Sequence, residues 1–291
     1  MSASATASAS PDSSSDPSSN PSDGEPRVRA YWQPGCTSCL RMKEFLTRHG
    51  VPFVSINVIE DQAAFEELAR LGARSVPICQ KGDEWANGQV LRDVARVAGI
   101  AYGAPTMLSP AALVERTRLI QEAAQRYLLQ FPEDTLDRML PNRPRSYRTL
   151  FYHIFNIADC WLEHEVDDLP LIEGVYGRTP PPRLATREDL HAYGVGVMER
   201  FDVWWKQAGP TTAFDATADV YYGDQTKHDF LERTTWHAGQ HVRQVMLILE
   251  EHLHIAPDRP LPPATFDGLP MPEKPWDDEK PFAPVDNSAP A

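Results

Sequence analysis

The chain is poor in cysteine, with four in 291 residues. That is too few to staple a protein of this length, so a disulfide scaffold is excluded. It is also short of positive charge: 28 Lys and Arg stand against 41 Asp and Glu, a formal net charge of −13. The deficit argues against a nucleic-acid partner, because phosphate affinity comes from clustered Lys and Arg. No run approaches the roughly 18 apolar residues of a membrane-spanning helix, so no membrane partner is expected. The first residues lack the basic stretch and apolar core of a signal peptide, and the expected location is cytoplasmic. No internal repeat is evident. With 42% hydrophobic residues the chain has enough apolar material for a real core, and its length points to roughly two domains.

Charge and proline are unevenly placed. Residues 1–26 carry four acids, no Lys or Arg, and mostly Ser, Ala and Pro; such a segment buries too little apolar surface to offset its ordering entropy and reads as a disordered arm. Residues 27–105 are slightly basic, and residues 106–256 are acidic. Residues 257–291 hold ten of the 27 prolines, yet keep Leu261, Phe266, Leu269, Met271, Trp276 and Phe282. This extension reads either as an extended segment anchored on the body by its aromatics or as a loose tail.

From residue 28 the pattern changes. Residues 28–32 read as a strand ended by Pro34-Gly35, and 36–49 as a helix burying Leu40, Phe45 and Leu46. Residues 51–58 form a second strand, and Phe65, Leu68, Ala69 and Leu71 mark a helix closed by Gly72. A third strand begins at 75–79, a turn at 81–83 leads to a fourth at 84–86, and a helix over 90–98 stops at Gly99. Cys36 and Cys39 stand at the first strand-to-helix junction, where unpaired N–H groups and the helix dipole lower a thiol's pKa. Cys36 is the more N-terminal and exposed, which suits a nucleophile; Cys39, a turn further in, suits the resolving thiol.

This β-α-β-α-β-β-α order with Tyr31-Trp32-Gln33-Pro34-Gly35-Cys36-Thr37-Ser38-Cys39 and Ser75-Val76-Pro77 resembles the glutaredoxin family of the thioredoxin-like fold, over about residues 28–100. The resemblance implies a cis Val76-Pro77 bond, backbone recognition of a thiol at Val76 and Pro77, and contributions from Gln33, Thr37 and Gly88 to binding glutathione or another low-molecular-weight thiol. The family usually has Pro-Tyr where this chain has Thr37-Ser38, and a basic residue at the place of Gln33. Two plainer readings stand beside it. The cysteine pair could be half of a metal site completed by Cys79, or Cys79 could be a buried strand thiol.

After Pro105 strand signals fade and long helical patterns follow: 110–130 opened by Pro110, one capped by Ser146, one starting at Thr186 with Asp189, and 226–253. Four helices with unequal connections suggest an all-α four-helix bundle. His237 and His241 lie four apart, hence on one helix face, and His153 sits in the apolar middle of the second helix. Two such histidines plus one from a facing helix can hold a divalent metal with positions left open. All-imidazole ligation suits zinc, nickel or ferrous iron without choosing among them. Cys160 and the remaining histidines, His164, His191, His228, His252 and His254, read as a core thiol and as solvated surface residues. Tyr221-Tyr222 reads either as a substrate rim or as core cover.

Thr235-Trp236-His237-Ala238-Gly239-Gln240-His241 with His153 resembles the DinB-like metal-binding bundles over about residues 108–256. Many of these place a ligand at the position of Arg233, so the pair here is shifted by one turn. That class includes thiol-dependent metal enzymes and often pairs through its helices, which implies a homodimer. Together the two resemblances imply a thiol-dependent enzyme: a Cys-X-X-Cys oxidoreductase domain joined to a metal-binding bundle, acting on a small-molecule or protein mixed disulfide. The alternatives are a non-enzymatic redox or metal sensor, and a reductase with a purely structural bundle.

Overall fold

A computed structural model describes residues 27–282; the predicted arm of residues 1–26 and the last nine residues lie outside them. The first unit is a four-stranded sheet flanked by three helices. Its elements are β1 (Val28–Trp32), α1 (Thr37–Arg48), β2 (Phe53–Asn57), α2 (Gln62–Arg70), β3 (Ile78–Lys81), β4 (Glu84–Asn87) and α3 (Leu91–Ala98). The strand order is β2-β1-β3-β4, with β1 parallel to β2 and antiparallel to β3. Side chains alternate across a strand, so β1 feeds two cores. Val28 and Ala30 join Met42, Phe45, Leu46 and Val94 on one face, while Tyr31 joins Ile56, Leu68 and Ile78 on the other. The third strand starts at Ile78 rather than 75, because Pro77 has no N–H to give the ladder.

The second unit is helical: α4 (Pro110–Gln130), α5 (Tyr147–Glu165), α6 (Arg187–Gln207) and α7 (Lys227–Leu247), the last running into a π-helical turn, Ile248–His252. Each start is capped by a hydroxyl, from Ser109, Ser146, Thr186 and Thr226. Thr186 with Asp189 and Thr226 with Asp229 form reciprocal capping boxes. Helix α4 packs on α6 and α7, and α5 packs on the same two, around one large core.

Three expectations need correction. Strands do occur after Pro105: β5 (Met139–Leu140) pairs with β6 (Arg143–Ser146), and β7 (Thr217–Ala218) with β8 (Gln225–Thr226). At two to four residues they are too short to show alternation. The fourth helix loses α geometry at Leu247 instead of continuing to 253. His164 and His252 are not solvated: the His164 side chain is 9% exposed, accepts from the Asp219 N–H at 3.1 Å and pairs with Glu165, and His252 bonds the Tyr147 hydroxyl and stacks on Phe282. At His164 the connection between α6 and α7 covers the helix end, and at His252 the start of α5 and the C-terminal extension do. Among the described residues no helix is long and apolar enough to cross a membrane.

Residues 257–282 of the C-terminal extension lie against the body as a strap. Trp276 and Leu269 are buried, and the backbone of residues 272–275 is held by α7 through Gln240, Arg243 and Gln244. On the other side the Glu44 carboxylate accepts from the N–H groups of Glu273 and Lys274. Lys43 meets Asp277 at 2.8 Å and Glu279 at 2.6 Å, with its ammonium over the Trp32 ring at 3.6 Å. The strap therefore ties α1 to α7.

Candidate functional site

Cys36 is the N-cap of α1, partly exposed and joined by a disulfide to Cys39, which is fully buried. The Cys36 Sγ also accepts from the Cys39 N–H at 3.2 Å. A sulfur here faces the unpaired amides of the helix start, the setting that stabilises a thiolate. The Val76–Pro77 bond is cis. Gly35, the residue before Cys36, has φ +64°, and a Cβ there would lie 2.8 Å from the Trp276 ring and 3.3 Å from Arg143 Cδ. The strap and β6 thus pack directly on the loop that presents Cys36. The other two cysteines are inert core thiols by environment: burial pushes Cys79 up to about 12 and raises Cys160 as well.

His153 of α5 and His237 and His241 of α7 converge. Each offers one ring nitrogen, and the three lie within 4.8 Å of one another. Burial foremost, then Arg145 for His153 and His241 and Arg233 for His237, hold all three well below the usual histidine range. This environment favours the neutral imidazole, the form that ligates a cation. The His241 Nδ1–H donates to Gln244 Oε1 at 2.8 Å, and Gln244 Nε2 in turn donates to the Pro275 carbonyl of the strap. This leaves the His241 Nε2 lone pair free, as an oriented metal ligand requires. Nδ1 of both His153 and His237 is buried without a partner. The donor set fits a divalent metal ion.

The two clusters meet. Cys36, Thr37, Gln33 and Val76 from the first unit line the same cavity of about 260 Å³ as His153, His237 and His241 from the second. Arg143 and Arg145, two apart on β6 and so on one face, enter it as well, together with Tyr176 and Arg233. Arg143 Nη1 donates to the Pro34 carbonyl at 3.3 Å, a direct link between the units. Gln89 Nε2 donates to the Tyr221 hydroxyl at 2.9 Å, closing another side.

Three predicted site residues are not at the cavity surface. Cys39 lies beneath Cys36, while Pro77 is buried behind Val76. Gly88 is packed so closely that a Cβ would meet Met42 Sδ at 2.4 Å and Pro77 at 2.8 Å. Its part is to let the backbone approach Pro77, whose carbonyl accepts from the Gly88 N–H at 2.8 Å; the neighbouring Gln89 is the residue that faces the cavity. Tyr221 reaches the rim, whereas Tyr222 is core cover. Arg143, Arg145 and Tyr176 were missed. The only available signal was the Arg-Pro-Arg alternation just before the Ser146 cap.

Comparison with known proteins gives one family match: residues 28–85 fit the glutaredoxin family. The global transcriptional regulator Spx of Bacillus subtilis is 26% identical over 133 residues, 42% of this chain and 92% of that protein. A glutaredoxin-like protein NrdH of Lactococcus lactis is 28% identical over 71 residues, 24% of this chain and 99% of its own. A human glutathione S-transferase T1-1 in its apo form covers 74% of each chain at 14% identity with a TM-score of 0.30, too low to bear on the fold. The chain therefore has a glutaredoxin-type α/β N-terminal domain followed by a helical region.

Proposed function

We propose that this chain is a thiol-disulfide enzyme whose helical region is a DinB-like four-helix bundle holding a metal beside the redox-active cysteines. The observation that supports this reading is the shared cavity: the partly exposed Cys36 and the three convergent histidines line one space. His153, His237 and His241 would hold a divalent ion, zinc, nickel or ferrous iron, which when bound supplies Lewis-acid polarisation of a thiol or polar substrate group.

The cysteines carry the redox step. The Cys36 thiolate attacks one sulfur of a mixed disulfide formed with glutathione or another small thiol, and the displaced sulfur leaves as a thiolate. The Cys39 thiol then attacks Cys36 and closes the intramolecular disulfide; its proton goes to the departing small thiol. The substrate disulfide gains two electrons and the cysteine pair loses two, ending in the Cys36–Cys39 disulfide. Two equivalents of small thiol restore the dithiol. Thr37, with its buried Oγ1 unpartnered, and Gln33 and Val76 border the entering sulfur.

The test is elemental analysis of the purified full chain together with reduction of a glutathione mixed disulfide. About one equivalent of metal is expected, falling below about a tenth in His153→Ala, His237→Ala or His241→Ala. Cys36→Ser is expected to lower turnover at least about 10³-fold with metal content intact. Unchanged metal in all three histidine variants would sink the metal assignment, and full turnover in Cys36→Ser the redox one. The likeness to Spx, a regulator by name, favours a second reading, a redox sensor. Absence of turnover, with metal affinity differing between oxidised and reduced protein, would select it.

A further inference from the structure

Arg233 is 6% exposed and borders the cavity between the cysteines and the histidines. One nitrogen, Nη2, donates to Gln89 Oε1, while Nε and Nη1 have no partner. Its charge is met by ring faces, Tyr176 at 4.6 Å and Tyr222 at 4.8 Å, rather than by a carboxylate. Ring quadrupoles return only a part of what burying a cation costs. Arg145, which also lines the cavity, makes no hydrogen bond or ion pair among the described residues, and Arg143 is bonded only to the Pro34 carbonyl. Against these three guanidinium groups the lining offers one carboxylate, Glu173, which forms an ion pair with none of them.

An uncompensated cluster of this kind is repelled by its own members and by any cation on the histidines. It is relieved by an anion placed among them, and guanidinium groups are the side chains best suited to grip planar or tetrahedral oxygen anions. At about 260 Å³ the space takes a small molecule, not a folded peptide segment.

We infer that the molecule entering this cavity is a small oxyanion-bearing compound, its carboxylate or tetrahedral oxyanion group gripped by Arg233 with Arg143 and Arg145. The inference rests on the cavity being the reaction site proposed above and adds the substrate's charge. The helical region selects the negative group, and Cys36 acts on what that group presents.

The experiment is titration calorimetry of the chelator-treated, oxidised full chain with malonate and, separately, with inorganic phosphate, against chloride at matched ionic strength. Saturable binding of at least one probe with one equivalent is expected, and which one binds tells a carboxylate site from a tetrahedral one. Arg145→Gln, at a partly exposed position, is expected to weaken it at least about tenfold. Arg233→Met, which keeps the volume and removes the buried cation, is expected to abolish it. No saturable binding of either probe, or unchanged affinity in both variants, overturns the inference. Because the protein is metal-free and oxidised, failure of the metal or redox assignment leaves this titration unmoved. Conversely, intact metal binding and turnover without anion binding removes only the inference.

Discussion

The two units build their halves of the site in opposite ways. In the α/β unit the two paired cysteine sulfurs sit three residues apart at one strand-to-helix junction, and local geometry delivers them: an N-cap sulfur and a first-turn sulfur. In the helical unit only the i,i+4 pair on α7 is local. His153 comes from α5, His237 and His241 from α7 some 84 residues later, and the arginines from a four-residue strand and from α7. The difference is one of error tolerance. A short motif survives small changes in packing, whereas a site pooled from distant elements is only as exact as the core beneath it. The strap bridges the two solutions, because its contacts reach Cys36 through Gly35 and His241 through Gln244.

Three substitutions sharpen the contrast, taken from the largest effect downward. Asp277→Ala leaves the nearly buried Lys43 ammonium with only the exposed Glu279 as partner and should cost about 2–3 kcal/mol in urea unfolding. Lys43→Met with Asp277→Leu should recover most of it. If the loss falls on the helical transition alone, the strap does not anchor the α/β unit as described. Gly35→Ala combines an unfavourable positive φ with a collision on the Trp276 ring and should cost about 2 kcal/mol. A loss under about 0.5 kcal/mol would mean that the strap yields at this point and does not set the Cys36 loop.

The smallest effect concerns pH. Burial pushes the Glu232 carboxyl, beside the junction of the units, from 4.5 up to about 7. The folded protein therefore keeps a proton that the unfolded chain releases between those values. Stability should fall as pH rises from about 4.5 to about 7 and then level off; the full shift would be worth about 3 kcal/mol, and solvent screening at this partly exposed carboxyl brings it to on the order of 1 kcal/mol. Glu232→Gln should flatten this slope and be the more stable protein above pH 7. A wild-type slope that persists in the variant assigns it to another group.

Much of the fold was legible because its signals are local. The helix starts at Pro110, Ser146 and Thr186 were readable from capping residues that satisfy orphan amides within three positions. The cysteine pair and the cis proline were readable from short motifs, and the i,i+4 spacing of His237 and His241 from helical periodicity alone. The short strands β5 to β8 were not, since two to four residues carry no period. With them went Arg143 and Arg145, whose approach to the histidines depends on β6 alone. The glutaredoxin resemblance implies a thiol-binding part for Gly88, and its burial against Met42 and Pro77 became visible only in three dimensions.

By itself, then, the sequence determined the glutaredoxin-type first unit, the helical character of the second, the cysteine pair at a helix start and the i,i+4 pair of imidazoles, because propensity, capping and periodicity act over a few residues. Only the tertiary structure decided that sulfurs and imidazoles share one cavity, that three arginines surround it, and that a proline-rich extension clamps the two units together. These include contacts between residues more than 200 positions apart in the chain, Lys43 with Asp277 among them. Such contacts are set by how whole faces pack, and no local pattern encodes them.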